Sequence, residues 1–186
     1  EARNLQWQDG QDRWSLERVQ LAGLTVRRPA EGQRRLPDSV SLDSLRLAGL
    51  RLVANQGELR LAAAGLEDYG PGRQTRLALE GLAMTLRPSD PVQGLAMQRL
   101  VLRGMDVATL ATLAMRDQPL PSTGRMVLEL EGIAATGPNR QPLGGLGSLR
   151  LASDQPAQGL GEGRFTLRGL RLDPVGALQP WMQRLG

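Results

Sequence analysis

The chain has 186 residues, a formal net charge of +4, and neither cysteine nor histidine; all 23 of its basic residues are arginine. These absences exclude cysteine nucleophiles, Ser–His–Asp triads, lysine Schiff bases and zinc sites built on Cys or His. The aromatic residues Trp7, Trp14, Tyr69, Phe165 and Trp181 are too few for a base-stacking platform, and acids are interspersed among the arginines, so nucleic acid is not an expected partner.

A chain that opens on Glu1 and closes on Gly186 reads as a single mainly β domain, 1–186, taken from a longer protein. No run approaches the ~20 apolar residues of a membrane span, so a membrane anchor, if the parent has one, lies outside this segment.

In chain order the first signal is "LQWQDGQDRWSL" (5–16), where Asp9-Gly10 separates two alternating segments and predicts a hairpin. Next comes "VQLAGLTV" (19–26), the first copy of a phrase that recurs as "LRLAGLRL" (45–52), "LALEGLAM" (77–84), "LVLRGMDV" (100–107) and "FTLRGLRL" (165–172). A weaker copy, "LELEGIAA", fills 128–135, and "LRLAAAGL" (59–66) is a variant with its glycine two residues late. The general form is apolar-x-apolar-x-Gly-apolar-x-apolar. Period-two alternation marks a strand with one apolar face. A one-residue slip would send the second apolar pair to the opposite face. Glycine can adopt backbone angles closed to other residues, so a bulge or bend there keeps the leucines together. The rival geometry is two strands meeting at a sheet corner.

Glycine- and proline-rich spacers separate the copies, as between antiparallel strands. One of them, "RRPAEGQRR" (27–35), gathers Arg27, Arg28, Arg34 and Arg35. It reads either as a solvated loop or as a contact for phosphate or an anionic headgroup. Two segments break the strand pattern. "DVATLATLAMRD" (106–117) predicts a helix over 107–116, capped by Asp106 and stopped by Pro119, with Val107, Leu110 and Ala114 on one face. "DPVGALQPWMQRLG" (173–186) predicts a second over 174–185, capped by Asp173, with Pro180 kinking it.

No segment carries an enzyme's constellation. Glu129 and Glu131 alternate with Leu128 and Leu130, which places them on the exposed face of one strand. "GGLG" (144–147) and "GLGEG" (159–163) lack the Gly-Lys-Ser/Thr ending of a phosphate loop. A leucine-rich repeat is disfavoured because the copies lack a constant period. No cofactor is expected.

The remaining signal is the leucine face: Leu21, Leu47, Leu50, Leu79, Leu82, Leu102, Leu167 and Leu170. It is either the interior of a sandwich or barrel, or an apolar lining suited to acyl chains. "LDSLRLAGLRL" (42–52) and "RLVLRGMDV" (99–107), with their short amphipathic strands and glycine–proline spacers, resemble the AsmA-like proteins of Gram-negative bacteria. That resemblance implies an extended, curved antiparallel sheet with an apolar groove, a periplasmic or membrane-associated place in the cell envelope, and a role in lipid transport or outer-membrane maintenance.

The sequence therefore predicts a bent antiparallel sheet (groove, sandwich or open barrel) with repeated glycine-bulged strands and two short helices. The expected function is a non-catalytic envelope module that binds or bridges lipid through its apolar strand face. The alternative is a structural or protein-interaction domain of an envelope assembly or secretion machine, pairing through exposed strand edges.

Overall fold

The structure, a computed structural model, describes residues 1–28, 37–88, 91–118, 124–155 and 161–173. The chain forms β1 (Ala2–Asp9), β2 (Asp12–Ala22), β3 (Thr25–Val26), β4 (Val40–Ala54), β5 (Gly57–Tyr69), β6 (Thr75–Leu86), β7 (Gly94–Met105), α1 (Val107–Met115), β8 (Gly124–Thr136), β9 (Pro142–Gln155), β10 (Glu162–Arg168) and β11 (Arg171–Leu172). Short 3-10 turns occupy Pro37–Ser39 and Pro138–Arg140.

All strands belong to one open antiparallel sheet, in the order β1-β2-β4-β5-β6-β7-β8-β9-β10. The short strands are continuations. β3 pairs with β4 in the register of β2, and β11 pairs with β9 in the register of β10. Spatial order thus follows chain order, as the turn-rich spacers predict. The hairpin at Asp9-Gly10 forms, with Asp9 opposite Asp12 and Gly10 at φ 59°.

The phase change in the phrase has a simple geometric basis. Gly49, Gly81, Gly132 and Gly169 have φ of 64°, 64°, 63° and 66°, the left-handed region that glycine enters without a Cβ penalty. The ladder breaks at each and resumes in the same register. Leu16↔Leu50 and Arg18↔Ala48 bracket Gly49, for example, and Leu61↔Leu82 and Ala63↔Glu80 bracket Gly81. No residue is gained or lost, because the facing strand changes phase at the same rung. In β2 the pair Glu17-Arg18 is exposed on both members between buried Leu16 and half-buried Val19; in β7 the pair Gln98-Arg99 lies likewise between Met97 and Leu100. Every long strand therefore inserts two consecutive non-leucine residues at one row, and the row crosses the whole sheet.

Along that row the left-handed residue falls on alternate strands: Asn4 (φ 51°) in β1, then Gly49, Gly81, Gly132 and Gly169 in or just after β4, β6, β8 and β10. Between them stand Glu17, Ala62, Gln98 and Gly147 in extended conformation. A Cβ on Gly49 would overlap Glu17, one on Gly81 would lie 2.8 Å from the Ala62 methyl, and one on Gly132 would overlap Gln98. The neighbouring strand's side chain thus fills the space that each glycine vacates. A second bend row lies nearer one end of the sheet, where Gly23 (φ 64°), Asp68 (φ 52°) and Gly104 (φ 85°) belong to the strands running the other way. Gly104 is a true bulge: Thr75 faces Met105 while Arg76 faces Arg103. Of the phrase glycines only Gly65 is ordinary, without positive φ and with open space above it.

Helix α1 forms where expected. The Asp106 carboxylate accepts hydrogen bonds from the Thr109 amide (2.9 Å) and hydroxyl (2.7 Å). Its buried face is not the predicted one: Ala108 and Thr112 are buried, whereas Ala114 is exposed. The helix packs across one end of the sheet against the Pro37–Ser39 turn, so residues one turn apart that face this turn are covered. The Asp38 amide donates to the Thr112 hydroxyl (2.9 Å) and the Tyr69 hydroxyl donates to the Pro37 carbonyl (3.3 Å). The predicted helix over 174–185 and the stop at Pro119 lie outside the described residues.

Gly81→Ala should destabilise the fold by about 1–3 kcal/mol in urea titration, since an L residue there is left-handed and meets Ala62. Gly65→Ala, in the same phrase but in ordinary conformation, should be neutral or stabilising by up to about 1 kcal/mol. Equal losses at both positions would show that the bend row does not set glycine's role.

Candidate functional site

Because all strands change phase together, the leucines form continuous rows running across the strands. One row reads Leu21, Leu45, Leu66, Leu77, Leu102, Leu128, Leu151 and Phe165. The next reads Ala2, Val19, Leu47, Ala64, Leu79, Leu100, Leu130, Leu149 and Leu167. Beyond the bend row come Leu5, Leu16, Leu50, Leu61, Leu82 and Met97 as consecutive partners, with Ile133 facing Leu146 further along. A fourth row starts at Trp7 and Trp14, whose rings stack at 5.6 Å and 4°, and continues through Leu52, Leu59, Met84 and Leu95.

The predicted lining residues thus fall into three of four adjacent rows: Leu21 with Leu102, Leu47 with Leu79 and Leu167, and Leu50 with Leu82. Leu170 follows Gly169 at the edge of that third row, between the rungs Arg168↔Ser148 and Arg171↔Gly145. Leu47, Leu50, Leu79, Leu82 and Leu102 are half-buried, while Leu21, Leu167 and Leu170 are exposed.

No second sheet covers these rows among the described residues. Of the row residues only Leu16 and Leu61 are buried, far fewer than a sandwich interior would bury, while Leu5, Trp7, Phe165, Leu167, Leu170 and Leu172 at the two side edges are exposed. At ~3.3 Å per residue and ~4.8 Å per strand, the four rows span roughly 900 Å2 in projection, above the few hundred Å2 that monomers leave bare.

The opposite face is ionic. Arg46, Arg51, Arg103, Arg168 and Arg171 are exposed, as the alternation predicts. Glu129 contacts both Arg103 (3.2 Å) and Arg150 (3.4 Å), and Glu131 lies 4.0 Å from Arg99. Arg73 bridges Asp43 (3.0 Å) and Asp68 (2.7 Å) and donates to the Leu42 carbonyl (3.2 Å), which ties down the second bend row. Glu58 sits between Arg51 (2.5 Å) and Arg60 (2.6 Å). This face also carries a shallow depression over Ala48, Ala63, Gly65 and Ala78, edged by Arg18, Gln20, Arg46 and Glu80. Among the described residues no three carboxylates converge as metal ligands, and no helix is long and apolar enough to cross a membrane.

Of the arginine cluster, Arg27 and Arg28 are exposed just beyond β3, with the Arg27 amide donating to the Ser39 carbonyl (2.8 Å). Arg34 and Arg35 lie outside the described residues. "GGLG" (144–147) is part of strand β9 rather than a loop. The sequence reading missed the Trp7–Trp14 stack and the share of β2, β5, β7 and β9 in the phase change. The available signal was a doubled non-leucine pair, such as Glu17-Arg18 or Gln98-Arg99, between alternating apolar residues. Comparison with protein-family models, curated proteins and solved structures finds no match.

The hydrogen bonds from Arg60 and Arg51 hold the Glu58 carboxyl down at about 2, against an ordinary 4.5. A depressed carboxylate pKa adds stability above the ordinary value, and that increment is lost as pH falls through the folded one. Glu58→Gln should therefore be less stable than the parent at pH 7 and lose less stability between pH 4.5 and 2. Parallel acid-unfolding curves for the two proteins would exclude this role.

Proposed function

We propose that this chain is a non-catalytic lipid-binding module of a bacterial cell envelope, periplasmic or membrane-associated, as the resemblance to AsmA-like proteins implies. The observation that supports the reading is the continuous leucine face, open among the described residues and larger than the apolar patches monomers usually leave exposed. Its mechanism is passive. Rows of leucine give acyl chains an adaptable aliphatic bed, and each sheltered methylene contributes about 0.8 kcal/mol. The flanking charges lie on the opposite face, so they set the sheet's solubility and leave the bed uniformly apolar. Headgroup contact falls to the rim, where Arg27 and Arg28 follow the exposed residues Leu24 and Val26.

Native mass spectrometry of the purified protein should detect co-purified acyl lipid. Leu47→Glu combined with Leu79→Glu, in the same row on either side of Ala64, should abolish that lipid while circular dichroism still reports a folded sheet. An open face can hydrate the carboxylates, whereas a closed core would unfold. Lipid-free parent protein together with an unfolded double variant would sink the lipid reading.

A further inference from the structure

The bend row carries a pairing rule with consequences at the sheet's edge. Inside the sheet, each rung of this row joins one left-handed residue to one extended residue: Gly49 faces Glu17 on one side and Ala62 on the other. Both outermost strands belong to the left-handed type, with Asn4 in β1 and Gly169 directly after β10, and they run in the same direction. β1 is also built as an interior strand. It follows the bend although Asn4 carries a Cβ, contains no proline, and presents Leu5 (38% exposed) and Trp7 (46% exposed) as the ends of two apolar rows. Among the described residues no strand pairs with its outer side.

We infer that the outer edge of β1 receives one antiparallel strand from a different polypeptide segment. Its pattern is apolar-x-apolar-polar-polar-apolar-x-apolar, with no left-handed residue at the bend. The type is that of β2, where Trp14, Leu16, Val19 and Leu21 flank Glu17-Arg18. Such a strand sets an extended polar residue opposite Asn4 and continues the apolar rows over Leu5 and Trp7. A second copy of this chain does not fit. Placing its β1 or its β10 at this edge puts two left-handed residues in one rung, which no rung of the row contains. The edge therefore selects a strand of the extended type over the outermost strands of a second copy. This inference does not depend on the lipid reading.

The protein has no cysteine, so an introduced thiol is unique. Gln6 faces Ser15 inside the sheet, and the same rung on the outer side identifies the matching position of an added strand. Full-length Gln6→Cys protein is mixed under mild oxidation with a synthetic peptide of residues 12–22 carrying Ser15→Cys, or with one carrying Gln20→Cys. The first should form a disulfide adduct and the second none, with β2 amide protection in hydrogen exchange retained, which excludes displacement of the native strand. Labelled peptide 12–22 should bind the parent protein in fluorescence anisotropy, whereas peptide 44–54, which contains Gly49, should not. Adducts at both cysteine positions, adducts at neither, equal binding of the two peptides, loss of β2 protection, or disulfide dimers of the Gln6→Cys protein through its own edge would each overturn the inference. Lipid content enters none of these readouts, so they stand apart from the test of the leucine face.

Discussion

The two faces of this sheet depend on a steric fit at the bend row: a left-handed glycine leaves open the space that a Cβ would fill, and within the sheet the neighbouring strand's side chain lies over it. Glycine at 49, 81 and 132 supplies the conformation, and Glu17, Ala62 and Gln98 supply the cover. Neither half works alone. Two left-handed residues in a rung would leave the space unfilled, and two extended ones would leave the phase change unresolved. Alternation of the two types across the strands turns a local backbone preference into a sheet-wide line of bending. Register passes through that line unchanged.

Segregation of the faces is the direct result. With the phase reset at one row in every long strand, leucines on both sides of the line stay on one surface and arginine–carboxylate contacts stay on the other. The ionic contacts are exposed, so each contributes little, and their arrangement matters more than their sum. Glu129 stands directly opposite Arg150 and diagonally from Arg103, an arrangement that favours the observed register over a one-residue slip. Leucine exposure rises toward the edges because an outermost side chain has a neighbour on one side only.

Much of this was legible in the sequence, since the relevant information is local. Alternation, the glycine at each slip, the Asp9-Gly10 hairpin and the Asp106 cap are all encoded within a few residues. The alignment of the bends was not, because it depends on register between strands. Gly23 and Gly104 read like Gly49 and Gly81, yet they lie on strands of opposite direction and so fall on a different row. Gly65 looked like a displaced phrase glycine; Asp68 has the left-handed role in that strand instead. The buried face of α1 was also out of reach, since it is set by contact with Pro37–Ser39, some seventy residues away in the chain. The leucine positions could be assigned to a face from alternation alone, but not whether that face was open.

Spatial order that copies chain order makes this sheet a one-dimensional array, in which each long strand pairs with the long strands before and after it in the chain. Stability in such an array is a sum of nearest-neighbour interfaces rather than the property of one shared core. Unfolding is then graded, with end strands opening far more often than those at the centre and each lost strand leaving the rest intact. Length becomes a free variable as well. Duplicating a hairpin adds one strand of each type, so it preserves the bend, the rows and the edge type. A sheet of this kind can grow by pairs without redesign of what is already there.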